Sequence, residues 1–118
     1  MGKIDNALKK LLETNPLSLS TVGKNNCPHT IYVTYAKVEG DKITITDNFM
    51  EKTKANILQN PNVSLSILIG EAGFELIGTA EYFSSGKLVE FIRSLPENKA
   101  FPCKGAVVVS VSNVKKMG

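Results

Sequence analysis

Six stretches of alternating or β-branched residues, none longer than ten, crowd into 118 residues, and turn-forming residues separate most of them. Strands this short and numerous expose long runs of unpaired backbone edge, and closing the sheet on itself protects the most edge. The stretches cover residues 17–22, 30–38, 42–46, 63–69, 74–83 and 106–112. The first alternates as Leu-Ser-Leu-Ser-Thr-Val, and residues 23–26 carry the turn signal before the second. Glu39, Gly40 and Asp41 turn the chain again before Ile43 and Ile45 alternate with polar neighbours. Antiparallel hairpins joined in this way predict a barrel or strongly curled sheet of six strands.

Three short helices complete the expected set. Ile4, Ala7, Leu8, Leu11 and Leu12 recur at helical spacing, and Asn15-Pro16 should end that helix. Ala55, Ile57 and Leu58 mark a second helix ending at Asn60-Pro61, and Leu88, Val89, Phe91, Ile92 and Leu95 a third, stopped by Pro96. A chain of this length supports one hydrophobic core, so a single domain over residues 1–118 is expected. With 42% hydrophobic and 21% charged residues it has no compositional reason to be disordered.

Charge and cysteine usage narrow the function classes. The net charge is +3, but Lys and Arg are scattered among acids and form no nucleic-acid footprint. No apolar run reaches membrane-spanning length and the N-terminus lacks a signal-peptide core, so a cytoplasmic location is expected. Cys27 and Cys103 form no Cys-x-x-Cys pair, and the chain has one histidine, His29. Neither a zinc framework nor a redox dithiol is announced, and His29 has no recognisable carboxylate partner for acid–base work. Ser18, Ser20, Ser64, Ser66, Ser110 and Ser112 alternate with apolar residues as the polar face of strands, and no Gly-x-Ser-x-Gly elbow occurs.

The stretch Thr46-Asp-Asn-Phe-Met-Glu-Lys-Thr-Lys-Ala-Asn56 carries the chemistry, because a strand ends there in polar residues and a helix begins with Lys52, Thr53 and Lys54. A helix start offers free N–H groups and a partial positive charge, and two ammonium groups and a hydroxyl beside it suit a phosphate monoester. The same residues also fit a plain helix start in which Thr53 caps the helix and the lysines are solvated. Tyr32, Thr34 and Tyr35, on a strand expected beside this helix start, could line a slot for a planar ring or serve as cross-strand packing.

The order of these elements resembles a known family. Pro28-His29, a strand over 30–38, a turn, a strand over 42–46, Met50-Glu-Lys-Thr-Lys-Ala-Asn56, Asn60-Pro61-Asn62-Val63 and Phe74-Glu-Leu-Ile-Gly-Thr-Ala-Glu81 follow the FMN-binding split barrels related to pyridoxamine 5′-phosphate oxidase. The resemblance covers nearly the whole chain and is closest to the small FMN-binding proteins of anaerobes, which share the Lys-Thr-x-Ala-Asn helix start. It implies a six-stranded antiparallel Greek-key split β-barrel, an FMN cofactor and a homodimer with each flavin near the subunit interface.

Carried over by position, the resemblance puts Lys52 and Thr53 on the phosphate and the isoalloxazine ring along Tyr32, Val33 and Thr34 on one side. Thr46, Asp47, Asn48 and Met50 would line the other side, and Phe101 and Cys103 would approach the partner's flavin. This chain departs from the family pattern in a strand two residues shorter after Pro28, and in Asn48 and Phe49 where the relatives carry glycines. It also lacks the full basic set with which true pyridoxamine phosphate oxidases hold FMN and a phosphorylated substrate. The resemblance therefore implies an oxidoreductase or electron-transfer protein, with a small-molecule or protein electron donor, in which the flavin supplies the chemistry. The alternative is a binding module without turnover, holding a flavin or another cofactor such as a deazaflavin or haem.

Overall fold

The N-terminal helix, α1 (Asn6–Thr14), forms where the apolar spacing places it, and the Asp5 carboxylate caps it by accepting the Leu8 N–H at 2.8 Å. Asn15 is extended, as the following Pro16 requires, and Leu8 and Leu12 are buried against the sheet. The computed structural model describes residues 3–117, so the ends of the expected domain at residues 1, 2 and 118 lie outside the described residues.

The strands are β1 (Leu17–Val22), β2 (Pro28–Val33), β3 (Lys37–Glu39), β4 (Lys42–Asp47), β5 (Asn62–Ile69), β6 (Ala72–Phe83) and β7 (Gly105–Met117). Helices α2 (Glu51–Gln59) and α3 (Lys87–Ser94) interrupt them. All pairings are antiparallel, in the order β2-β1-β5-β6-β7-β4-β3. The fold class is mainly β with short helices, as expected.

The strand count differs by one. The stretch 30–38 is not one strand: Tyr35 takes a left-handed φ of 58°, and residues 34–36 separate β2 from β3. These three residues link the two end strands of the sheet order, so the sheet must curl until its ends meet. Strand-forming composition cannot reveal such a break, because Tyr and Thr suit a strand on either side of it. No ladder joins β2 to β3, so the barrel is split along this seam.

Alternation fills the interior. Leu17, Leu19, Ile43, Ile45, Leu65, Leu76, Val107 and Val109 are wholly buried, each stabilising the fold by about 1.5–3 kcal/mol relative to an exposed side chain. On the other face, Ser18 bonds Ser66, Ser20 bonds Thr30 at 2.9 Å, and Ser64 donates to Glu75 at 2.8 Å, the polar rows expected of the serine alternation. Helix α3 covers Ala106 on the outside with Val89 and Ile92. At Gly78 the β6–β7 register shifts, and a Cβ would lie 2.1 Å from the Ser110 carbonyl oxygen, so only glycine permits the approach. No described helix is long and apolar enough to cross a membrane.

Candidate functional site

The site is built where β4 gives way to α2. Asp47, the last residue of β4, is buried and fully engaged: Oδ1 accepts the Met50 N–H at 2.8 Å and Oδ2 accepts the Tyr82 hydroxyl at 2.5 Å. Burial, and then the bond to the Asp47 carboxylate, push the Tyr82 phenol well above its ordinary value, so Tyr82 remains a donor at neutral pH. Asp47 thus fixes the turn into α2, and its carboxylate oxygens are already taken.

A second strap holds the same corner. Asn98, buried after a 3-10 turn at Pro96–Asn98, donates to Thr46 Oγ1 at 3.2 Å and to the Ile92 carbonyl at 2.9 Å. The Cys103 N–H donates to Asn48 Oδ1 at 3.0 Å, and the Lys104 N–H to the Asp47 carbonyl at 2.7 Å. Lys37 pairs with Glu97 at 2.8 Å and holds that carboxyl below its usual range. Residues 96–104 are therefore bound along the end of β4.

Helix α2 begins without a side-chain cap. Met50 occupies the cap position and offers no acceptor to the first N–H groups of the helix. Thr53 is therefore not the cap; it lies within the first turn, 1% exposed, and among the described residues its Oγ1 has no hydrogen-bond partner. A buried unpaired hydroxyl costs free energy, and native structures keep few of them.

A cleft of about 300 Å³ opens at the seam between β2 and β4, lined by Ile31, Tyr32, Val33, Thr34, Thr46, Asn48, Phe49 and Met50. Six of the ten residues expected at the site, Tyr32, Val33, Thr34, Thr46, Asn48 and Met50, thus come together. No charged residue lines this cleft. Its rim is aromatic, with Tyr32 80% and Phe49 75% exposed. Among the described residues, β2 pairs only with β1 and β3 only with residues 42–44 of β4, so the strand edges facing the seam have no partner in the sheet.

The other expected residues lie elsewhere. Asp47 supports the corner, and Thr53 is in the first turn of α2. Lys52 lines a second cleft, also about 300 Å³, with Gly23, Lys24, Cys27, Ala55, Asn56 and Gln59. Cys103 is 2% exposed and its thiol donates to the Asn98 carbonyl at 3.5 Å, so it reaches the cleft only through its backbone bond to Asn48. His29 sits on β2 opposite Thr21, outside both clefts. Both cysteines are free thiols.

Sequence reasoning missed Tyr82, Asn98 and Lys24. Nothing in the spacing of Tyr82 or Asn98 marks them, since each meets β4 at a sequence separation of 35 or more. Lys24 was legible only as a residue of a turn.

Comparison with known proteins assigns the family. The sequence model described as pyridoxamine 5′-phosphate oxidase matches residues 4–117. The uncharacterized protein MJ0282 of Methanocaldococcus jannaschii is 31% identical over 121 residues, spanning 95% of this chain and 79% of that protein. Two solved structures share the fold. HupZ of Group A Streptococcus has a TM-score of 0.87 at 19% identity, covering 97% of this chain and 94% of its own. An FMN-binding protein of Syntrophomonas wolfei has a TM-score of 0.76 at 16% identity, covering 98% and 84%. The chain belongs to the pyridoxamine 5′-phosphate oxidase family, with the split-barrel fold of that family's flavin-binding members.

Proposed function

We propose that this chain is an FMN-binding flavoprotein that acts as an oxidoreductase or electron carrier, with the flavin ring in the uncharged cleft and the phosphate at the start of α2. The observation that carries this reading is the Thr53 hydroxyl, buried and unpaired in the first turn of an uncapped helix, next to Lys52. A phosphate there would accept from the free N–H groups, the Thr53 hydroxyl and the Lys52 ammonium, and would lie at the positive end of the helix dipole. The residues present therefore fit the group that the family implies.

Tyr32, Val33 and Thr34 would hold one side of the ring, and Thr46, Asn48 and Met50 the other, with the unpaired strand edges available to its hydrogen-bonding rim. Asp47 acts from beneath by fixing the β4–α2 corner. When bound, FMN supplies electron and hydride transfer. The chain's own residues bind, orient and shield; the cleft lining contains no Asp, Glu, His, Cys, Lys or Arg to move a proton. That lining also favours a second reading, a flavin carrier without turnover. Rapid reduction of the bound flavin by a nicotinamide would exclude it.

Tyr32 and Phe49, at the rim of the cleft, and Phe101 are exposed aromatics that a second copy of the chain could cover. We place the dimer interface there, near the flavin and near the segment that ends at Cys103. One domain over residues 1–118 and a cytoplasmic location complete the proposal. The visible absorption spectrum of the purified protein, before and after FMN is added, tests it. A flavin spectrum that remains with the protein through gel filtration is expected; a colourless protein that retains no added FMN would overturn it.

A further inference from the structure

The residues bound along the end of β4 are matched to it by donor and acceptor type. Thr46 and Asn48 both line the uncharged cleft and are half-buried, whereas Asp47 between them is turned inward. A backbone N–H can only donate, so the Cys103 N–H, 3.0 Å from Asn48 Oδ1, fixes the Asn48 amide with its oxygen toward Cys103. A backbone carbonyl can only accept, so the Ile92 carbonyl, 2.9 Å from Asn98 Nδ2, fixes the Asn98 amide with its nitrogen on that side. The same nitrogen donates to Thr46 Oγ1 at 3.2 Å, so the Thr46 oxygen accepts there.

Each of the two cleft residues is left with a donor. Among the described residues the Asn48 Nδ2 hydrogens and the Thr46 hydroxyl hydrogen go to no protein acceptor. Asn48 Nδ2 is open to solvent, since Thr53 Oγ1 is the one side-chain polar atom that is both sealed and unpartnered among the described residues. A ligand that fills the cleft displaces water from these donors, and it loses affinity unless it brings acceptors of its own.

We propose that Thr46 and Asn48 form a donor pair that reads two hydrogen-bond acceptors along one edge of the bound ring, with Asn98 and Cys103 as the positioning residues that aim them. The inference rests on the proposed seat of the flavin ring in this cleft. The carbonyl oxygens and unprotonated ring nitrogens of an isoalloxazine are acceptors of this kind. A ring presenting N–H or C–H at that edge would leave both donors unpaired and is selected against. The pair acts on the ring, whereas Lys52 acts on the phosphate, so the two can be separated by experiment.

Dissociation constants of riboflavin and FMN, measured by flavin fluorescence on the wild-type protein and on Asn48→Asp, Thr46→Val and Thr46→Ser, test it. Asn48→Asp keeps an oxygen for the Cys103 N–H and replaces the free donor by an acceptor. It should weaken riboflavin and FMN equally, by about tenfold, at an unchanged melting temperature. Thr46→Val should also weaken both ligands, and Thr46→Ser, which keeps the hydroxyl, should bind them as the wild type does. If the wild type binds FMN and Asn48→Asp changes both affinities by less than about threefold, the donor pair is refuted and the proposed function stands. If the loss falls on FMN alone, the new carboxylate acts on the phosphate and not on the ring, and the inference is overturned. Should Asn48→Asp melt early, the threonine variants decide: equal affinities for Thr46→Val and Thr46→Ser overturn the pair. If the wild type binds neither flavin, the proposed function fails and the inference falls with it.

Discussion

The two clefts beside the start of α2 have the same volume, about 300 Å³, and different linings. The first, at the seam of the barrel, is lined by aromatic, aliphatic, hydroxyl and amide groups without a charge. The second, under the β1–β2 turn, includes Lys24 and Lys52 among its lining residues. The start of α2 contributes Met50 to the first and Lys52 to the second. A ligand with a neutral planar ring and an anionic tail matches this division; a uniformly apolar or uniformly charged ligand would use only half of it. The difference arises from which elements supply the walls: strand edges at the seam, a turn and a helix face at the other cleft.

Breaking the corner that separates the clefts should have the largest effect. Asp47→Ala leaves the Met50 N–H and the Tyr82 hydroxyl without their acceptors, and should cost about 3 kcal/mol of stability by urea denaturation. A loss below about 1 kcal/mol would show that the corner is held by other contacts. Next, Lys52→Ala should weaken FMN binding by about 2 kcal/mol and leave riboflavin unaffected, because only FMN carries the phosphate that Lys52 would hold. Equal losses for both ligands would put Lys52 on the ring instead.

Tyr82→Phe should cost about 1.5 kcal/mol, the lower end for a hydrogen bond to a charged group because Tyr82 is only half-buried. It should also change the pH profile. Tyr82 is raised above its ordinary value of 10.0 in the folded state, so its contribution is complete below that pH and is lost as pH climbs through the raised folded value. Denaturation of wild type and variant should differ least at high pH. The smallest effect has two signs: Thr53→Val should stabilise the ligand-free protein by about 1 kcal/mol, by removing a buried unpaired hydroxyl, while weakening FMN binding. A variant that is destabilised without ligand would mean that the hydroxyl has a partner in solution.

Much of the uncharged cleft was legible in the sequence. Alternation located the strands, and the order of Pro28-His29, the strand beyond it and the Lys-Thr-x-Ala-Asn helix start brought Tyr32, Val33, Thr34, Thr46, Asn48 and Met50 to one place. The second cleft was not legible, since its walls meet where Gly23 lets a turn sit on Asn56, 33 positions later. Lys52 was expected at the phosphate without any sign of the cleft it lines. The split in the strand at Tyr35 was hidden for a local reason, as its left-handed φ is carried by a residue type that normally favours strands. Asp47 read as a ring contact, and its hydrogen bond to Tyr82 on a distant strand had no local signal.

The most direct test of a divided site is the ratio of the riboflavin and FMN dissociation constants, measured on the same protein preparation at low salt. A ring cleft joined to a phosphate site predicts that both ligands bind and that FMN binds at least tenfold more tightly, with the advantage shrinking as salt is raised. Equal affinities for the two would contradict the placement of the phosphate at Lys52 and Thr53.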